Sequence, residues 1–297
     1  MKENTRSLLK FLAAMAIFGT IGIFRRYTPL PSGIIALVRG SVGAVFLFLV
    51  LKCRKKELSL SAIKENLPLL LFSGGAMGAN WILLFEAYNY TTVAVATLCY
   101  YMAPIFLLLA SPFLLHEKLS VRRILCVQFA FLGMLLVSGI LDTGIPDASE
   151  LKGIFLGLGA AVLYASVVLA NKKMKPIPAY DKTIVQLLTA SLLMAPYSLL
   201  TGEFSEVTLT PLSALMLVVI AVFHTGFAYA LYFGSLEHLP AQIAAVFSYL
   251  DPIIAVLLSA LLLHEKMTVL TVLGAVLVIG AAVVSELPEK KKKIDQS

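Results

Sequence analysis

Apolar residues fall into ten long stretches along the chain, separated by short polar connections. Each stretch is close to the ~20 residues that an α-helix needs to cross ~30 Å of hydrocarbon. A backbone inside lipid must satisfy its hydrogen bonds within the segment, so the stretches predict transmembrane helices. The predicted spans cover residues 8–24, 33–51, 67–86, 91–115, 121–139, 153–171, 183–200, 211–234, 240–263 and 268–286. The fold class predicted is therefore an all-α integral membrane protein with ten transmembrane helices.

The composition supports this prediction. Of the 297 residues, 59% are hydrophobic and 14% are charged, whereas soluble domains average ~45–50% and ~25%. These values exclude a disordered protein and argue against a soluble enzyme. No HExxH, GxSxG or P-loop motif occurs, so we expect no enzymatic activity and no direct use of ATP. The cysteines Cys53, Cys99 and Cys126 have no metal-ligand spacing, and we expect neither a metal nor a cofactor.

The basic residues predict the orientation of the chain. With ten spans both termini lie on one side, and 19 of the 24 lysines and arginines fall on that side. The opposite side has four, which are Arg25, Arg26, Lys152 and Lys266. The positive-inside rule therefore places both termini on the cytoplasmic side of the membrane, which we expect to be a bacterial-type plasma membrane. The net charge of +7 is explained by topology, with the Lys290–Lys293 run as an anchor, and nucleic acid is not expected as a partner.

An internal repeat relates the two halves of the chain. Residues 96–118 and 244–266 are identical at 11 of 23 aligned positions, at an offset of 148. The shared residues include Tyr101 with Tyr249, Pro104 with Pro252, and His116-Glu117-Lys118 with His264-Glu265-Lys266. Each repeat holds five helices, an odd number, so the second copy must start on the opposite side of the membrane. The sequence predicts inverted repeats over 1–142 and 150–297, an architecture of alternating-access transporters with a site near the midplane.

With this repeat, the chain resembles the drug/metabolite transporter superfamily, specifically the ten-helix EamA-like transporters. The residues that carry the resemblance are Arg39, Pro104, Pro252, Glu117, Glu265, Gly274 and Gly280. The chain departs from the family pattern where Cys126 stands opposite Gly274, where Gln186 replaces the arginine of the second half, and at Phe18-Gly19 and Tyr164-Ala165, where such proteins often have tryptophan. The resemblance implies the fold and transport across the membrane, and it is weakly informative about the substrate.

Asp251 is the sharpest candidate for the transport chemistry. A carboxylate in the middle of a span costs ~2.5–3.5 kcal/mol on insertion scales, so it needs a function or a partner. We predict that it binds substrate or carries a coupling proton. The alternative is that it caps backbone groups freed beside Pro252. The first repeat has Ala103 at this position.

Two further charged or titratable side chains lie within spans. Arg39 could hold a substrate carboxylate in a forked contact, or it could form an ion pair or snorkel to the interface. His224 could relay protons, or it could be a neutral histidine bonded to a neighbour.

Polar and aromatic residues in the spans complete the candidate site. Asn80, Trp81, Tyr101 and Tyr249 could wall a substrate cavity, since aromatic faces attract organic cations, or they could be ordinary packing. Tyr249 and Asp251 would point ~200° apart on an intact helix. Pro104 and Pro252 are candidate helix breaks, because interrupted helices at matching positions mark the site in inverted repeats. A packing kink is the alternative.

The predicted function is secondary transport of a small polar metabolite or drug-like compound, such as an amino acid or an amine. Alternating access would be driven by a gradient, with lipid as the surroundings and protons as a candidate coupling ion. The alternative is a membrane sensor or scaffold that keeps the fold without transport.

Overall fold

The structure is a computed structural model that describes residues 2–114, 120–137, 141, 146–236, 239 and 247–287. Within these ranges the chain is helical and contains no strand. The helices are α1 Lys2–Gly19, α2 Ile21–Arg26, α3 Ser32–Cys53, α4 Leu60–Tyr90, α5 Val93–Tyr100, α6 Ala103–Leu114, α7 Val121–Val137, α8 Ala148–Lys173, α9 Ala179–Leu200, α10 Pro211–Val218, α11 Ala228–Leu236, α12 Leu250–Leu262 and α13 Val269–Glu286. A π-helical segment, Val219–Phe227, joins α10 to α11, and Glu203–Glu206 forms a 3-10 turn.

Each of the ten predicted spans contains a described helix, and the predicted all-α membrane class is confirmed. In the described part of the chain, seven helices or joined helices are long and apolar enough to cross a membrane. Helices α12 and α13 are shorter apolar helices. The basic run Lys290–Lys293 and the first His116-Glu117-Lys118 lie outside the described residues.

Two spans are interrupted at positions matched by the repeat. Helix α5 ends at Tyr100 and α6 begins at Ala103, while α12 begins directly after Tyr249. Pro104 and Pro252 therefore lie in the first turn of a new helix, where a backbone N–H has no intrahelical acceptor to lose. The break precedes each proline, and the expected kink at the proline itself is replaced by a fresh helix N-terminus.

Glycines bring the helices of the two repeats into close contact. A Cβ atom on Gly74 of α4 would lie 2.6 Å from the Cβ of Thr189 on α9. A Cβ on Gly133 of α7 would lie 2.7 Å from the carbonyl oxygen of Gly274 on α13. Small residues allow such approach between membrane helices, where packing replaces the hydrophobic drive of water. The final helices of the two repeats, α7 and α13, therefore pack backbone to backbone.

Candidate functional site

A cavity of about 590 Å³ lies between the two repeats. Its walls come from α1 to α6 of the first half and from α8, α9, α11 and α12 of the second. Seven of the predicted site residues line it: Arg39, Asn80, Trp81, Tyr101, Pro104, Tyr249 and Asp251. His224 and Pro252 do not. The structure thus gathers most of the predicted residues around one space.

The two interrupted spans meet at Asp251. The Asp251 carboxylate accepts a hydrogen bond from the Tyr101 hydroxyl at 2.5 Å, which joins the second repeat to the first. The Tyr101 ring lies 6.3 Å from the ring of Tyr249, centroid to centroid. Asp251 is in the first turn of α12, where the helix dipole favours a negative charge. The observed partner of this carboxylate is a side chain across the cavity, which weighs against a purely local capping role.

The interruption also decides which residues share the cavity. Helix α12 begins after Tyr249, so the regular 100° spacing does not extend from Tyr249 to Asp251. Both residues consequently line the cavity, although on an intact helix they would face apart.

Arg39 is held against aromatic rings of its own repeat and by a hydroxyl group of the other repeat. Its Nε donates to the Thr225 hydroxyl at 2.8 Å, and its Cζ lies 4.3 Å from the ring centroid of Trp81. The residue is 6% exposed. Within the described ranges, no carboxylate lies within 4.0 Å of its guanidinium. The guanidinium also has a side-chain hydrogen bond with Tyr229. Its planar Nη groups are the kind of donors that a carboxylate accepts from in a forked contact.

His224 lies behind the cavity wall, in the π-helical segment. Its Nε2 is 2.8 Å from the hydroxyl of Thr20, at the junction of α1 and α2. Its Nδ1 is 3.3 Å from the carbonyl oxygen of Val219, five residues earlier. The Thr225 hydroxyl likewise donates to the carbonyl of Ile220, five residues earlier, at 3.1 Å. The π-helical spacing therefore directs His224 toward the end of α1 and the next residue, Thr225, toward Arg39 of α3.

The remaining polar candidate, Asn80, is engaged between helices. Its amide donates to the carbonyl oxygen of Ala160 at 2.5 Å, which ties α4 to α8. Asn80 also lines the cavity. It therefore both holds two helices together and contributes to the cavity wall.

Several lining residues were not among the sequence candidates. Gln186 lines the cavity and donates to Ser73 at 2.7 Å and to Asn171 at 2.8 Å. A signal for Gln186 existed, since the repeat aligns it with Arg39. Lys172 and Lys182 also line the cavity, and in the sequence they contributed only to the charge count.

Among the described residues, the cavity lining thus offers one carboxylate, one guanidinium and two lysine ammonium groups among aromatic rings. Such a set can bind an ammonium group through Asp251 and the ring faces, and a carboxylate through Arg39. No cluster of three His, Cys, Asp or Glu side chains that could hold a metal ion occurs in the part of the chain that the structure describes.

Comparison with known proteins agrees with this architecture. The chain is 29% identical over 279 residues to the uncharacterized transporter YxxF of Bacillus subtilis (strain 168), covering 93% of this chain and 88% of the relative. It is 25% identical over 255 residues to the uncharacterized transporter YoaV of the same organism, covering 85% and 86%. A protein crystal structure with 19% identity matches at a TM-score of 0.67 over 94% of this chain and 96% of that one, which shows the fold.

The family comparison covers nearly the whole chain and finds the repeat. The model of the EamA-like transporter family matches twice, over residues 5–139 and 151–286. The resemblance drawn from the sequence is therefore confirmed. The two matches in tandem show that the chain belongs to the EamA-like transporter family.

Proposed function

We propose that the protein is a secondary transporter of a small polar metabolite or a related drug-like compound, with an amino acid or an amine as the leading class. The observation that carries this proposal is the cavity between the repeats, where Asp251 and Arg39 supply opposite charges among aromatic walls. A solute with an ammonium group, a carboxylate or both finds a partner there. An enzymatic activity is not expected.

The mechanism proposed is alternating access between the halves 1–142 and 150–297. Support comes from the helix N-termini of α6 and α12, which begin at matched positions and reach the cavity through Ala103 and Asp251. Interrupted helices of this kind place positive dipole ends at substrate sites in inverted-repeat transporters. The hydroxyl of Tyr101 on Asp251 gives the carboxylate a neutral partner that a cationic group or a proton can displace. Proton coupling at Asp251, a plasma-membrane location and cytoplasmic termini belong to the same proposal.

Counterflow into proteoliposomes tests the proposal. Vesicles preloaded with unlabelled amino acids, amines or nucleosides are diluted into trace labelled solute, and saturable uptake is measured. We expect saturable uptake of at least one amino acid or amine. Its absence across the panel, with folded protein in the vesicles, would contradict transport and favour the sensor or scaffold.

A matched pair of variants tests whether the flux passes through the cavity. Thr97 lines the cavity and is 4% exposed, whereas Leu200 is 88% exposed at the end of α9. Thr97→Phe should fill part of the 590 Å³ space and suppress uptake, and Leu200→Phe should leave it unchanged. Equal uptake in both variants would place the solute path elsewhere.

A further inference from the structure

Glu265 joins the two repeats at one end of the bundle. It follows α12 in the second repeat, yet its carboxylate accepts from the backbone N–H of Val93 at 3.0 Å and of Ala94 at 3.3 Å. These residues open α5 of the first repeat. A carboxylate at a helix N-terminus satisfies orphan N–H groups and is favoured by the dipole. Glu265 therefore caps a helix that belongs to the other half of the protein.

The same carboxylate has two further partners. The Arg26 guanidinium at the end of α2 lies 4.0 Å from it, and the Glu265 side chain is 8% exposed. Arg26 also donates to the carbonyl oxygen of Tyr88 near the end of α4, and the hydroxyl of Ser259 on α12 donates to Glu265. One nearly buried carboxylate thus ties elements of both repeats together.

These contacts lie beyond one end of the cavity. At the far end its lining reaches the exposed Lys172 and the half-buried Ala179. At the Glu265 end the lining residues are the buried Gly22, Tyr88 and Thr97.

Helix α5 connects the carboxylate to the cavity wall. Thr97 lies one turn beyond Val93 on this helix and lines the cavity. A Cβ on Gly22 would lie 2.5 Å from Cγ1 of Val93, so α2 is packed tightly against the start of α5. The layer held by Glu265 consequently closes this end of the cavity.

We infer that Glu265, with Arg26 and the N-terminus of α5, is the latch of a gate at this end. This inference rests on the alternating-access mechanism of the proposed function, in which the two halves must separate at one end to admit solute. The latch keeps α5 and α12 together across the repeat boundary, and its release frees α5 to move away from α12. Charge-assisted hydrogen bonds are about twice as strong as neutral ones, so the negative charge of Glu265 sets the strength of the closure.

The test is the accessibility of a cysteine below the latch. Thr97→Cys, in a chain whose native cysteines are replaced, is labelled with a membrane-impermeant maleimide in intact cells and in inside-out vesicles. A Ser149→Cys marker at the start of α8 identifies the membrane face that carries Glu265. Glu265→Gln keeps the shape of the side chain and removes its charge, and the loss of two charge-assisted bonds should speed labelling from that face about tenfold. Glu150→Gln, at the start of α8, is the matched control and should leave the rate unchanged.

Arg26→Gln supplies a second way to weaken the latch and should also speed labelling from the same face. Thermal unfolding of the purified variants checks that each is folded. The inference is overturned if both latch variants label at the parental rate. It is also overturned if Lys172→Cys at the other end gains as much as Thr97→Cys, since that would be general loosening. Transport is measured separately by counterflow. Faster labelling of the latch variants without flux of any solute would support the latch and contradict the transport proposal. Flux of a solute with unaltered labelling would support transport and contradict the latch.

Discussion

Replacing Thr225 with valine removes the hydroxyl that holds Arg39 and keeps the side-chain shape. Thr225 is fully buried, accepts from Arg39 Nε at 2.8 Å and donates to the Ile220 carbonyl at 3.1 Å. A hydrogen bond with a charged partner is worth ~1.5–3 kcal/mol. Hydrogen bonds between membrane helices are weaker, averaging ~0.6 and reaching ~1.7 kcal/mol. Because the donor is a guanidinium, we expect a loss of about 1.5 kcal/mol in the free energy of unfolding, near the top of the membrane range and at the lower end of the range for charged partners.

Reversible unfolding in mixed micelles, followed by tryptophan fluorescence of the single Trp81 against Arg39, measures this loss. Thr225→Ser is the control, since it keeps the hydroxyl and removes only a methyl group, for about 0.8 kcal/mol. A double-mutant cycle with Arg39→Met isolates the pair. A coupling energy below about 0.5 kcal/mol would refute the idea that Thr225 anchors the guanidinium, because it would fall under the average for neutral membrane pairs.

Three further outcomes are expected. Ser149→Cys should react with an impermeant reagent from outside the cell and Lys173→Cys should not, and the opposite labelling would reverse the predicted orientation. Arg39→Lys loses the planar fork, so uptake of carboxylate-bearing solutes should fall while that of amines is spared; equal losses with lower expression would leave Arg39 a purely structural role. Asp251→Asn should still exchange solute but lose accumulation against a gradient and the pH dependence of uptake, and a pH profile identical to the parent's would remove Asp251 from proton coupling.

Hydropathy was sufficient to predict the class of fold, because lipid imposes length and helicity on every span. The repeat also carried information about the site, since the aligned residues Arg39 and Gln186 both line the cavity. No sequence pattern predicted the π-helical segment Val219–Phe227. Its spacing depends on what His224 and Thr225 contact in other helices, and a local pattern contains no such partners.

Glu265 shows the same limit more sharply. In the sequence it is part of a repeated His-Glu-Lys motif beside its own helix. The N–H groups that donate to it belong to Ala94 and Val93, which are 171 and 172 residues away. The sequence also misplaced the helix breaks, because each break lies about one turn before the proline that was expected to mark it. Proline marks where a helix cannot continue its hydrogen bonds, but whether it ends one helix or begins the next is decided by packing around Tyr101 and Tyr249.

The bond between Arg39 and Thr225 has a consequence for the order of synthesis. The two residues are 186 positions apart, and a ribosome adding ~5–20 residues per second needs roughly 10–40 seconds to cover that distance. Arg39 therefore enters the membrane well before its acceptor exists. Trp81 and Phe85, whose rings lie 4.3 and 5.7 Å from its guanidinium, are made far sooner and belong to the same repeat. We expect this aromatic pair to shelter the cation during biogenesis, so a nascent chain stalled before residue 225 should become a quality-control substrate much faster when Trp81 is replaced by leucine.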